Sequence, residues 1–118
     1  MSLRDTILTA DDLGEETVPV PEWGVTVLLR GMTGTQRITL VDRSTAKDRR
    51  YMYSDILIAT CLDPETQTPV FDKADRESLS DKSGGVLERL ALKVLSISGV
   101  SLDDAEAEVE ADPTLGGV

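Results

Sequence analysis

Thr17-Val18-Pro19-Val20-Pro21-Glu22-Trp23-Gly24-Val25-Thr26-Val27-Leu28-Leu29-Arg30 carries β character on both sides of a turn, and its reading decides the fold. The first arm is β-branched but twice interrupted by proline, which has no N–H. It can therefore pair on one side only and belongs at a sheet edge. Glu22-Trp23-Gly24 reads as the turn and Val25 to Arg30 as the better strand, giving a β-hairpin over 17–30. The pattern downstream is helical. The expected class is thus α+β, mainly helical: an N-terminal hairpin packed on a small bundle of about three to four helices.

Upstream, residues 1–15 read as a flexible polar lead with one weakly apolar patch at Ile7-Leu8 and a turn at Asp11-Asp12-Leu13-Gly14. Downstream, Gly31-Met32-Thr33-Gly34 breaks the strand, and Thr33 is placed to cap a helix from Thr35 to Lys47. A more apolar helix is expected from Arg49 to Cys61, either separate or continuous with the first through a bend at Ala46 to Arg50. Proline at both ends makes 62–69 a loop. Asp72 is an N-cap for a turn or two over 73–79. Ser80 then opens the longest helix, whose stripe Leu87, Leu90, Ala91, Val94 and Leu95 runs towards Ser98 and stops at Gly99. Residues 16–99 form the single expected domain, and 100–118 an acidic tail, a short helix or disordered.

The 118 residues suit one domain, and a 40% hydrophobic fraction can fill its interior. Trp23, Tyr51, Tyr53 and Phe71 are the only aromatics, so the core is aliphatic. No apolar run approaches the roughly 18 residues of a membrane span. Met1-Ser2-Leu3-Arg4-Asp5 lacks the apolar segment of a secretory signal, so a cytoplasmic protein is expected.

Charge and chemistry narrow the function. The net charge is −10, from 22 acidic and 12 basic residues. The one basic cluster, Lys47-Asp48-Arg49-Arg50, contains an acid, so a phosphate backbone is disfavoured as partner. The chain has no histidine, which removes Ser-His and Cys-His pairs and imidazole zinc sites. Cys61 ends an apolar run and reads as a buried, inert thiol. Gly31-Met32-Thr33-Gly34-Thr35 lacks the Gly-Lys-Ser/Thr ending of a phosphate loop, and Ser83-Gly84-Gly85 reads as a turn or close helix contact. The pairs Asp63/Glu65 and Asp75/Glu77 show no sign of a desolvated pocket that would split their pKa values. No catalytic, cofactor or metal site is expected.

Two places could bind a partner. Trp23, at the hairpin tip, is either an exposed anchor or, the favoured reading, a lid folded over one end of the core. The segment Leu102-Asp103-Asp104-Ala105-Glu106-Ala107-Glu108-Val109-Glu110 lacks the ligand order of a calcium loop and reads as a solvated acidic face. Leu102, Ala105 and Val109 could face a partner from it. The candidate partner-binding residues are Trp23, Leu102, Asp103, Asp104, Ala105, Glu106 and Val109.

The order Pro21-Glu22-Trp23-Gly24, Val25-Thr26-Val27, then Arg30-Gly31-Met32-Thr33-Gly34 with Arg37 resembles the tail assembly chaperones of long-tailed bacteriophages. So do Cys61-Leu62-Asp63 through Pro69-Val70-Phe71-Asp72, and Leu79-Ser80-Asp81-Lys82-Ser83 before a long helix. The similarity spans roughly residues 11 to 99. This chain departs from it in lacking a glycine in the loop after Asp63, and in ending its last helix on Ser98-Gly99 rather than Asn-Gly. The resemblance implies a non-catalytic protein that binds the tape measure protein in the host cytoplasm and is absent from the finished virion. It also implies a longer, frameshifted form in many phages that recruits the tail tube protein, and leaves a homo-oligomer open. The alternatives are an acidic DNA-mimic inhibitor of a host protein, and a structural tail or head–tail connector subunit.

Overall fold

The structure is a computed structural model and describes residues 2–42 and 49–100. In chain order the elements are α1 (Leu3–Thr9), β1 (Glu15–Val20), β2 (Val25–Arg30), α2 (Gly34–Asp42), α3 (Met52–Thr60), β3 (Cys61–Leu62), α4 (Arg76–Ser80) and α5 (Gly84–Ile97). Single 3-10 turns lie at Pro21–Trp23, Arg49–Tyr51 and Lys73–Asp75.

The hairpin forms where expected, starting two residues earlier, with Val20 opposite Val25 and Glu15 opposite Arg30. Gly24 closes its turn at φ 67°, its N–H donating to the Pro21 carbonyl at 3.1 Å. Strand order β1-β2-β3 puts the proline-bearing arm at the edge. By alternation, Glu16, Val18 and Val20 face the same side as Val27 and Leu29. Val20 and Leu29 are fully buried on that side.

The sheet has a third strand that the sequence reading left out. Cys61 and Leu62 do not end the preceding helix and open a loop; they pair with Leu29 and Leu28 of β2. The buried Thr60 hydroxyl donates to the Ile56 carbonyl at 2.6 Å in the last turn of α3, and the backbone turns extended at Cys61. The strand then folds back through a loop in which Asp63 N–H donates to Thr68 O and Val70 N–H to Cys61 O.

The longest helix also starts later than Ser80. Ser80 closes α4, its hydroxyl donating to Arg76 O at 2.8 Å, and the Ser54 hydroxyl donates to it in turn. Ser83 is the N-cap of α5, accepting from Val86 N–H. At about 1.5 Å per residue, the 14 residues of α5 span roughly 21 Å. Its inner stripe, Val86, Leu87, Leu90, Ala91, Val94 and Leu95, meets the inner face of the hairpin and Ile56 and Leu57 of α3 in one core. Gly99 stands at φ 78° after it, with Val100 N–H donating to Leu95 O and Gly99 N–H to Ser96 O. Val100 and Leu95 are both buried, so chain reversal and apolar closure coincide, as in a Schellman motif.

Within the 1–15 lead, Ser2 caps the two-turn α1, accepting from Asp5 N–H, and α1 buries no residue. The helix expected over 35–47 is described from Gly34 to Asp42; its remainder and the 101–118 tail lie outside the described residues.

Candidate functional site

Thr33 caps α2 as expected, within a reciprocal arrangement. Gln36 N–H donates to Thr33 Oγ1 at 3.1 Å, and Thr33 N–H donates to Gln36 Oε1 at 2.9 Å. Thr-x-x-Gln is thus a capping box, satisfying two free N–H groups at once. The Gln36 amide nitrogen also donates to the Ala59 carbonyl of α3 at 3.2 Å. One side chain therefore starts α2 and ties it to α3.

No residue of α2 is fully buried, although Leu40 packs against the core, and a groove of about 270 Å³ lies between α2 and α3. Met32, Leu40, Ile56, Ile58 and Ala59 give it an apolar floor; Thr35, Gln36 and Thr39 line the α2 wall. Asp55, Lys73 and Arg76 stand at the far end. Arg76 Nε and Nη2 each donate to one carboxylate oxygen of Asp55 at 2.9 Å. The Arg76 guanidinium also lies 4.2 Å from the ring centre of Tyr51, and the Arg50 guanidinium lies 4.7 Å from it. This planar stack fixes the cationic end of the groove. At the near end, Met32 N–H donates to Ser98 Oγ at 2.9 Å, which binds the groove to the end of α5.

Trp23 is half-buried and packs against the core, in keeping with the structural reading of its ring. It sits on the hairpin side and does not line the groove. Beside it, Arg89 of α5 makes two hydrogen bonds to the Glu22 carboxylate, at 2.7 and 2.9 Å. Those bonds hold the Glu22 pKa well below its ordinary 4.5, at about 2, and push that of Arg89 upward. One turn along α5, Lys93 pairs with Glu16 at 2.7 Å. The other candidate residues, Leu102, Asp103, Asp104, Ala105, Glu106 and Val109, lie outside the described residues.

The motifs weighed for chemistry have structural tasks. Asp63 Oδ1 accepts from Glu65 N–H, holding a turn. Asp72 and Asp75 form a capping box. Cys61 is 1% exposed, and burial raises its thiol pKa to about 11. Among the described residues, no group of three or more Cys, Asp or Glu is placed to hold a metal ion. No described helix is long and apolar enough to cross a membrane.

No family model matches the sequence, and no curated protein matches it. Among solved structures, the chain is similar to the bacteriophage HK97 tail assembly chaperone. The TM-score is 0.61 at 23% identity, over 80% of this chain and 95% of that one. The fold is that of a phage tail assembly chaperone. Sequence reasoning missed Thr35, Thr39, Ile58 and Ala59. The legible signal was glutamine three residues after Thr33, which marks where α2 begins.

Proposed function

We propose that this chain is a tail assembly chaperone of a long-tailed phage, a binding protein without chemistry of its own. Its cargo is the tape measure protein, covered in the host cytoplasm before the tail tube surrounds it. The observation that carries this reading is the apolar-floored α2–α3 groove on a fold shared with the HK97 tail assembly chaperone. A long, helical tape measure exposes apolar stripes that associate with one another when unpolymerised. A groove floored by Met32, Leu40, Ile58 and Ala59 suits one such stripe, in the helix-in-groove manner. The net charge of −10 adds like-charge repulsion between the resulting complexes. Trp23 and the acidic 102–109 segment extend the contact, and a longer, frameshifted form would bring the tail tube protein to the same complex.

The test is co-expression with the tape measure protein. The chain should move it into the soluble fraction, and Ala59→Arg, which fills the groove from an exposed position, should weaken that effect. Loss of a central anchor of about 2 kcal/mol corresponds to roughly 30-fold in affinity. A tape measure protein equally insoluble with and without the chain would defeat the proposal. The chaperone should also be missing from purified particles by mass spectrometry.

A further inference from the structure

The two ends of the groove differ in charge. The far end holds Lys73 and Arg76, and Tyr51 draws two guanidiniums together beside it: those of Arg76 and Arg50 lie 4.2 and 4.7 Å from its ring centre. The exposed Arg49 precedes Arg50 in the same turn. The acids facing this end are Asp55, Asp72, Asp75 and Glu77, and three of them have partners already. Asp55 takes both bonds from Arg76, Asp72 Oδ1 accepts from Ala74 N–H, and Asp75 Oδ2 accepts from Asp72 N–H. Lys73, Arg49 and Arg50 make no ion pair among the described residues. A chain of net charge −10 therefore keeps uncommitted cations at one end of its apolar groove.

Size narrows the occupant. At about 270 Å³ the groove is smaller than the roughly 300–1,000 Å³ of small-molecule sites, so it suits side chains of a larger partner. Its α2 wall from Thr35 to Leu40 runs roughly 8 Å, about a turn and a half of helix. Two apolar side chains four residues apart on a partner helix, roughly 6 Å along its axis, match that length.

We infer that the groove selects an amphipathic helix of its cargo that carries a carboxylate one turn beyond a pair of apolar anchors. The inference rests on the groove being the cargo site proposed above, and it names the kind of segment that site takes. The anchors lie on Met32, Leu40 and Ile58, and the exposed Ala59, with only a methyl group, lets the partner backbone come close. The carboxylate meets the Lys73 ammonium, with Arg49 and Arg50 behind it. The apolar floor supplies most of the affinity, and the cationic end fixes register and direction. A stripe without the acid can slide along the floor; a stripe with a lysine there is repelled.

A charge swap in the full chain tests this, with 20-residue peptides tiling the tape measure protein as probes. Peptides whose binding Ala59→Arg weakens are the groove ligands, and they should carry the apolar pair with its acid. Replacing that acid by lysine should weaken binding to the native chain about five-fold, as for a partly exposed ion pair. Lys73→Glu, at an exposed position, should weaken the native peptide to a similar degree and restore the lysine peptide. High salt should shrink these differences. Groove ligands indifferent to both charge changes, or a swap that restores nothing, would overturn the inference and leave the groove as cargo site. Peptides that bind equally well to the Ala59→Arg chain, or no bound peptide at all, would overturn the groove reading itself and this inference with it.

Discussion

Helices α5 and α2 both carry apolar positions at helical spacing, yet the fold treats them in opposite ways. Helix α5 is held along its inner face and at both ends. Six of its apolar side chains lie in the core, Ser83 caps its start and the Gly99 reversal closes its end. Arg89 and Lys93, one turn apart, clasp Glu22 and Glu16 on the hairpin. Helix α2 has no fully buried residue, packs on the core only through the partly buried Leu40 and leaves Ile38 64% exposed. It is attached by its capping box, by the Gln36–Ala59 hydrogen bond and by the Met32 contact at its entry. The two helices thus differ in burial: α5 is embedded in the core, and α2 leaves apolar surface exposed.

The largest expected effect comes from emptying the embedded side. Leu90 is fully buried, so Leu90→Ala should cost about 2–5 kcal/mol, whereas Ile38→Ala should stay within about 0.5 kcal/mol. Urea unfolding of the two variants measures the contrast directly. Comparable losses at both positions would mean that α2 belongs to the core after all. A smaller effect is expected at Gln36. Gln36→Ala removes half of the capping box and the tie to Ala59, together about 1–2 kcal/mol. The loss should be local: native-state hydrogen exchange should speed up across α2 while the amides of α5 keep their protection.

The contrast between the helices also explains what the sequence could reveal. The stripe of α5 was legible because a buried helix must repeat its apolar residues at the helical period. Its start was not, since Ser80 and Ser83 are both plausible caps, and only packing against Ser54 assigns Ser80 to the end of α4. The hairpin was legible from Pro19, Pro21 and Gly24, whose backbone limits act locally. Strand β3 was hidden, because two residues show no alternation and their partners, Leu28 and Leu29, lie more than thirty positions away. The groove was hidden for a related reason. It is a gap between helices, and no run of residues encodes a gap. Helix α1 was missed although Ser2 and Asp5 mark its first turn.

The smallest effect concerns the clasp on α5 and depends on pH. Arg89 holds the Glu22 pKa at about 2, below its ordinary 4.5, so the folded state favours the ionised carboxylate more than the unfolded chain does. The sign follows from that depression. The clasp contributes fully above pH 4.5 and fades as pH falls towards 2, where Glu22 protonates even in the folded protein. Glu22→Gln should therefore lower the melting temperature slightly at neutral pH, by less than either variant above, because the pair is exposed and screened by solvent and salt. The difference between the two proteins should close as the solution is acidified towards pH 2. A constant difference across that range would mean that Glu22 acts through the packing of the turn beside Trp23 and not through its charge. In that case the hairpin would be held on α5 by apolar burial and the Lys93–Glu16 pair, with no charge contribution from Glu22.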